Sequence, residues 1–234
     1  MSYLYFDLIG GVSGDMIAAS LLDLTAGLSY LRNELKKINL KGYRIETFKR
    51  QAGHIRVLRF TVEDLSKEKR VFQFREIKNI INRSRLSEEI KRNILSVYRA
   101  LYEAEKKVHG SGRAHFHQLG EVDSVVDIAS CCVLIDKLKI GGILYSSVPF
   151  GEKIAPATAQ LLKSKDIYFS KHPYENVTPT GAAIITTLGR QLDSKDKSVF
   201  NIKDTGCGAG SIEYEGFSNV LRSILLEKGK SDFE

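Results

Sequence analysis

Cysteine is scarce in this chain, with three in 234 residues. Cys131 and Cys132 are adjacent inside an apolar stretch and Cys207 stands far away, which makes neither a disulfide framework nor a zinc spacing. A reducing cytoplasm is the expected compartment. Long hydrophobic runs are missing too: nowhere do about 18 apolar residues follow one another. The opening Tyr3-Leu4-Tyr5-Phe6-Asp7 offers neither a basic leader nor a small-residue cleavage site, so neither export nor a membrane partner is expected. Internal repeats and low-complexity segments are also missing. The net charge is +7 with a pI near 9.2. The surplus cations lie on stretches read as helical, Lys67 to Arg75 and Lys91 to Lys107, without aromatic interleaving or a nucleic-acid motif. They read as solvated surface with no nucleic-acid partner, and steering of an anionic small molecule is the alternative. What the chain does have is 43% hydrophobic and 27% charged residues, enough for one large globular domain or two small ones.

Patterning places the elements. Tyr3 to Phe6 reads as a buried strand, Gly10 to Asp15 as a glycine-rich turn, and Ile17, Ala18, Leu21 and Leu22 as a helix that Gly27 stops. A short helix is expected over Tyr30 to Ile38. Period-two alternation in Tyr43 to Thr47 and Leu58 to Val62 argues a hairpin turning near Gly53, with His54 in the turn. Ser87 reads as the cap of a long helix with one seam through Ile90, Ile94, Val97, Leu101, Ala104 and Val108. That helix ends at His109-Gly110-Ser111-Gly112, the expected hinge between an N-terminal lobe, residues 1–110, and a C-terminal lobe, residues 111–234. Beyond it the patterns give a helix over Leu119 to Leu138 and an irregular stretch to Ile154. Helices are then expected after Ala155-Pro156 and at Thr178-Pro179, and strands around Val199 to Ile202 and Val220 to Leu225. The expected fold is α/β, a mixed sheet with helices in two closely packed lobes.

Three constellations could carry chemistry. The turn from Asp7 to Asp15 leaves a strand and starts a helix, where free amides and the positive dipole end suit an anion and glycines allow close approach. Asp7 and Asp15 would repel a phosphate, so a metal or a cationic ring bridging them is more natural; simple capping by Ser13 or Asp15 is the competing reading. In His115-Phe116-His117, extended backbone sends both imidazoles to one side, and Asp123 and Asp127 stack one turn apart on the following helix. Asp127 sits among valines, where a carboxylate needs a cation, a metal or a histidine beside it. Imidazole and carboxylate donors suit nickel, zinc or iron; a His–Asp pair tying the loop to the helix is the structural alternative. Thr178 and Pro179 start a helix, with the Thr180 hydroxyl near its amides and Gly181 and small residues behind. Gly206, Gly208 and Gly210 alternate along a strand end, which marks a bulge, a neighbouring ligand or close packing. Cys131 and Cys132 read as buried small hydrophobes, and His172, before Pro173 in a lysine-rich loop, reads as surface.

Taken in order, Asp7 to Met16 with its GVSGDM run, His115 to Ile128 (HFHQLGEVDSVVDI), Thr178 to Ile184 (TPTGAAI), Gly206 to Gly210 and Ser218 to Arg222 resemble one family, the LarC nickel-insertion proteins. The resemblance implies a cyclometallase of lactate racemase cofactor biosynthesis, a member of the lyase class. Such an enzyme binds pyridinium-3,5-bisthiocarboxylic acid mononucleotide, inserts nickel between its sulfurs with a nickel–carbon bond, and consumes CTP with a divalent cation. It implies His115, His117, Asp123 and Asp127 as metal donors and Asp15 or His117 as the base that takes the ring proton. Gly11, Ser13, Gly14, Thr178, Thr180, Gly181 and Gly208 would hold the mononucleotide, its phosphate at the first turn or at the Thr178 helix start. Family members usually carry other residues at Gln118 and Glu121, and a longer histidine-containing loop where this chain has Phe150 to Ile154. They also continue into a C-terminal domain that looks like the CTP-binding part. That domain, or a separate chain equivalent to it, is therefore an expected partner, and self-association into a homo-oligomer is left open. Two rival readings are a nickel- or substrate-holding subunit without chemistry of its own, and another metal-dependent enzyme acting on a phosphorylated small molecule.

Overall fold

The computed structural model describes residues 1–110, 118–193, 196, 198–210 and 219–229. The fold is α/β, and among the described residues seven strands form one mixed sheet. An interior strand is β1 (Ser2–Asp7), where Leu4 and Phe6 are fully buried while Tyr3 and Tyr5 turn to the other face, as period two requires. β1 runs parallel to β4 (Gly142–Tyr145) and antiparallel to β9 (Val220–Lys228). β4 continues to the short β7 (Arg190–Gln191), and β9 to β8 (Phe200–Ala209). The hairpin β2 (Tyr43–Ala52) and β3 (Ile55–Asp64) completes the order β2-β3-β8-β9-β1-β4-β7, so strands from both sides of Gly110 interleave. A separate parallel pair joins β5 (Val148–Phe150) to β6 (Ile167–Phe169).

α1 (Gly14–Thr25) lies across β8, β9 and β3 and packs against α5 (Val122–Leu138). It closes at Ala26, whose backbone takes the left-handed conformation at φ 48°; Gly27 instead precedes α2 (Leu28–Leu35). The expected helix over the basic stretch Lys67 to Arg75 is not there. The helix, α3 (Phe74–Asn82), begins at its end, where Gln73 and Glu76 form a reciprocal capping box and Arg70 pairs with Glu76 at 2.8 Å. α4 (Glu88–His109) starts as expected, the Ser87 hydroxyl accepting from the Ile90 amide at 3.3 Å. Ile90, Ile94, Val97, Leu101 and Ala104 are buried along its seam, and Gly110 ends it at φ 78°.

Other expectations are corrected. The first turn of the helix expected from Leu119 is a separate 3-10 turn, Gln118–Gly120, ahead of α5. The stretch read as irregular between Leu138 and Ile154 contains β4 and β5, while the helix expected after Ala155-Pro156 is α6 (Pro156–Leu161). β8 extends seven residues past the strand end expected at Ile202, to Ala209, with a register shift between Ile202 and Asp204. His172 is buried, 3% exposed: the Glu152 amide donates to its carbonyl at 2.9 Å and draws the segment onto the end of β5. Burial pulls its imidazole below the usual range, opposed by a backbone hydrogen bond at Tyr174. Cys131 and Cys132 are fully buried, as expected.

Candidate functional site

Three helices bring the site together. α1 and α7 (Pro179–Leu188) both start beside α5, and Gly14 is the wedge between them. A Cβ on Gly14 would stand 3.0 Å from Asp127 Cβ and Oδ2 on α5 and 3.0 Å from Thr180 Cγ2 on α7. The arrangement is tied by the chain segment before α7. The Val12 amide donates to the Asn176 carbonyl at 2.8 Å and the Thr178 amide to the Val12 carbonyl at 3.0 Å. The buried Asn176 side chain donates to Gly10 and Pro149 carbonyls at 3.3 and 3.0 Å and accepts from the Gly151 amide at 3.1 Å. Nothing in the composition around Asn176 distinguishes it from a loop residue. Its role is visible only once residues 10, 149 and 151 are adjacent.

The resulting cleft has a volume of about 810 Å³ and is lined by Ser13, Gly14, Asp15, Asp123, Asp127, Thr178 and Thr180 among others. These are seven of the residues expected at the site. Sequence reasoning missed Thr61, Lys69, Glu105 and Glu175, and took His109 and Glu121 for other roles; all six line the same cleft. His109 approaches Glu105 at 3.2 Å, and the Glu175 carboxylate accepts from the Ala155 amide at 3.2 Å. Among the described residues, six carboxylates (Asp15, Glu105, Glu121, Asp123, Asp127 and Glu175) face a space whose lining includes one lysine and one histidine. The field there favours a cation, whatever the positive charge of the whole chain.

Asp15 and Asp127 are the innermost of these. The Ser13 hydroxyl donates to the Asp15 carboxylate instead of capping α1. Burial raises the Asp15 carboxyl above its usual range, opposed by the Ser13 hydroxyl, by the amides of Met16 and Asp15 and by the Arg59 charge. Burial raises Asp127 well above that range, and the neighbouring Asp15 and Asp123 charges push it further. Behind them the Cys131 thiol donates to the Gly14 carbonyl at 3.3 Å; burial and the Asp127 charge hold its proton on. At the other wall, the Thr178 hydroxyl accepts from the Gly181 amide at 3.2 Å, the helix cap that the sequence implied.

Several expected residues go elsewhere. Asp7 does not join Asp15; it pairs with Arg222 at 2.6 Å across β1 and β9. Gly11, at φ 140°, lies against the Asn176 carbonyl, and Gly181 against the Val12 carbonyl, so both let backbones meet under the site. Gly208 is not brought to the cleft: a Cβ there would stand 2.2 Å from the Met16 carbonyl oxygen and 2.5 Å from the Ser20 amide nitrogen of α1. His115 and His117 lie outside the described residues. Among the described residues no group of three or more His, Cys, Asp or Glu side chains is placed to hold a metal ion. No helix among them is long and apolar enough to cross a membrane.

The chain matches the family described as "Nickel insertion protein" over residues 4–234. Relatives whose names carry the words nickel insertion protein include one from Pelobacter propionicus, 35% identical over 95% of this chain and 60% of its own. Another, from Geotalea uraniireducens, is 36% identical over 97% of this chain and 62% of its own. A relative from Clostridium kluyveri, 34% identical over 99% of this chain and 64% of its own, is named as a pyridinium-3,5-bisthiocarboxylic acid mononucleotide nickel insertion protein. The chain thus spans less than two thirds of the length of each of these relatives. No solved structure matches it.

Proposed function

The chain belongs to the nickel insertion protein family, and from that premise we propose that its acidic cleft is where nickel meets pyridinium-3,5-bisthiocarboxylic acid mononucleotide, the substrate named for the Clostridium kluyveri relative. The observation that carries the proposal is the pair Asp15, in the first turn of α1, and Asp127, in the second turn of α5 against Gly14, close enough that the charge of Asp15 raises the Asp127 carboxyl. Nickel is substrate here, taken up as the divalent ion. Asp127 and Asp123 supply oxygen donors, and His115 and His117, which precede Gln118 in the sequence, supply imidazole nitrogens that suit nickel. The carboxylate lining also complements the positive pyridinium ring. The anionic phosphate belongs at the opposite wall, where Thr178 and Thr180 start α7, with Ser13 and Lys69 within the same cleft.

Insertion replaces a ring C–H bond by a nickel–carbon bond and releases one proton. Asp15 is the described group placed to accept it, held by the Ser13 hydroxyl, with His117 as the alternative acceptor. CTP and its divalent cation are assigned in this proposal to the part of the family's proteins outside the matched region. A cytoplasmic setting agrees with three free cysteines.

Calorimetric titration with nickel tests the metal step. One near-stoichiometric event is expected, lost in Asp127→Asn and in the His115→Ala, His117→Ala double variant. Binding that survives both variants would remove nickel from this cleft. Mass spectrometry of the mononucleotide after incubation with nickel and CTP then separates insertion from mere holding of metal or substrate. Release of phosphate from simple esters without nickel would favour a phosphohydrolase instead.

A further inference from the structure

A second concavity has the opposite electrostatic character. It lies where α2 and α3 end, and its volume of about 620 Å³ falls within the roughly 300–1,000 Å³ usual for small-ligand sites. Arg32, Lys36, Lys37, Lys41, Arg83 and Arg85 line it, and among the described residues there is no carboxylate in the lining and none shared with the acidic cleft. The sequence explains the convergence. In Lys37-Ile38-Asn39-Leu40-Lys41, apolar residues alternate with polar ones, so Ile38 and Leu40 turn inward while Lys36, Asn39 and Lys41 stay exposed. The Arg85 amide donates to the Lys37 carbonyl at 3.0 Å, which brings Arg83 and Arg85 against this loop. The Arg32 guanidinium donates to the Ile45 carbonyl at 3.2 Å and is fixed at the rim. The floor is apolar: Leu35, Ile38 and Ile45 are buried, and Tyr43 is half-buried beside them.

The competing explanation is that these cations only offset the negative ends of the two helices. Each helix C-terminus is equivalent to about half an elementary charge, so two account for about one. Glu34, paired with Lys37, accounts for one more. Of the six cations, a surplus of about four is left facing one bounded hollow. Charges spread along a track would suit a polymer, whereas these converge over an apolar floor.

We propose that this groove binds a small soluble organic anion carrying several phosphate groups, its phosphates among Lys36, Lys41, Arg83 and Arg85 and its organic part on Tyr43 and Leu35. The proposal does not depend on the reading of the acidic cleft. Tripolyphosphate, titrated calorimetrically into the chain at low ionic strength, is the probe, with inorganic phosphate beside it. One saturable site is expected, tighter for tripolyphosphate and weakening as salt is raised. Arg83→Gln, Arg85→Gln should weaken it at least about tenfold, equivalent to about 1.4 kcal/mol. Both side chains are exposed, so melting temperature and nickel binding should stay as in the parent chain. A response that does not saturate, or one the double variant leaves unchanged, would overturn the proposal. So would tighter capture by oligothymidylate or by phosphatidylglycerol vesicles, which would assign the surface to a polymer or a lipid sheet.

Discussion

Replacing Gly208 by alanine adds one methyl group where α1 crosses β8. The new carbon would begin 2.2 Å from the Met16 carbonyl oxygen, 2.5 Å from the Ser20 amide nitrogen and 3.0 Å from Ala19 Cβ. Non-bonded heavy atoms settle at about 3.5–4.0 Å, so helix and strand must part by roughly 1 Å. The atoms in the way are helix backbone, which cannot swing aside, and the face being lifted holds Met16, Ala19 and Ser20, all buried. Overpacking costs about 1–3 kcal/mol, and this geometry argues for the upper end. For a chain of this size each kcal/mol lowers Tm by about 2–4 °C, giving a fall of about 6–12 °C. Differential scanning calorimetry reads it directly. Gly53→Ala is the control: among the described residues nothing lies within 4 Å of its added carbon, and its φ of 59° opposes the change, at about 1–2 kcal/mol. A Gly208→Ala melting point within about 1 °C of the parent would refute the packing argument. If nickel or mononucleotide binding were then also lost, Gly208 would face a ligand after all.

Two further outcomes concern the cleft. Asp15 and Asp127 hold their protons more tightly folded than unfolded, so the folded chain carries the extra protons above the ordinary aspartate value of 3.8. With metal removed by chelator, unfolding free energy should therefore fall as pH rises from that value through the raised folded values. Asp127→Asn should flatten the fall and stabilise the chain at neutral pH; urea unfolding across pH checks this, and an unchanged slope contradicts it. Gly14→Ala meets Asp127 and Thr180 side chains at 3.0 Å, which can yield by a few tenths of an ångström. It should cost less stability than Gly208→Ala, about 1 kcal/mol, yet weaken nickel binding measurably in calorimetry. Full-strength binding would show that the wedge is not part of the site.

Legibility of the sequence followed locality. Ser87 and Thr178 were readable as caps because cap and partner amide lie three residues apart. β1, the hairpin and the α4 seam announced themselves by period. β4 did not: four residues opening on glycine carry too little alternation, and its partner is more than a hundred residues away. His172 looked exposed among lysines because the contacts burying it come from β5 and its loop. The acidic cleft was half legible. Asp15, Asp123, Asp127 and Thr178 stood in readable motifs, whereas Lys69, Glu105 and Glu175 come from segments whose own patterns describe only surface. Gly208 drew attention correctly, but the reason is a helix pressed on a strand.

The interior position of β1 also has a consequence in time. Its two neighbours, β4 and β9, begin at residues 142 and 220. At the usual synthesis rate of about 5–20 residues per second, β1 waits roughly 10–45 s after it is made before β9 exists. During that interval the edge of Tyr3, Leu4, Tyr5 and Phe6 that faces β9 stays unpaired, while the β2–β3 hairpin and α4, built from local contacts, can already form. β1 is made well before the strand that completes its enclosure, so a nascent chain of this fold carries an apolar stretch for chaperones to shield.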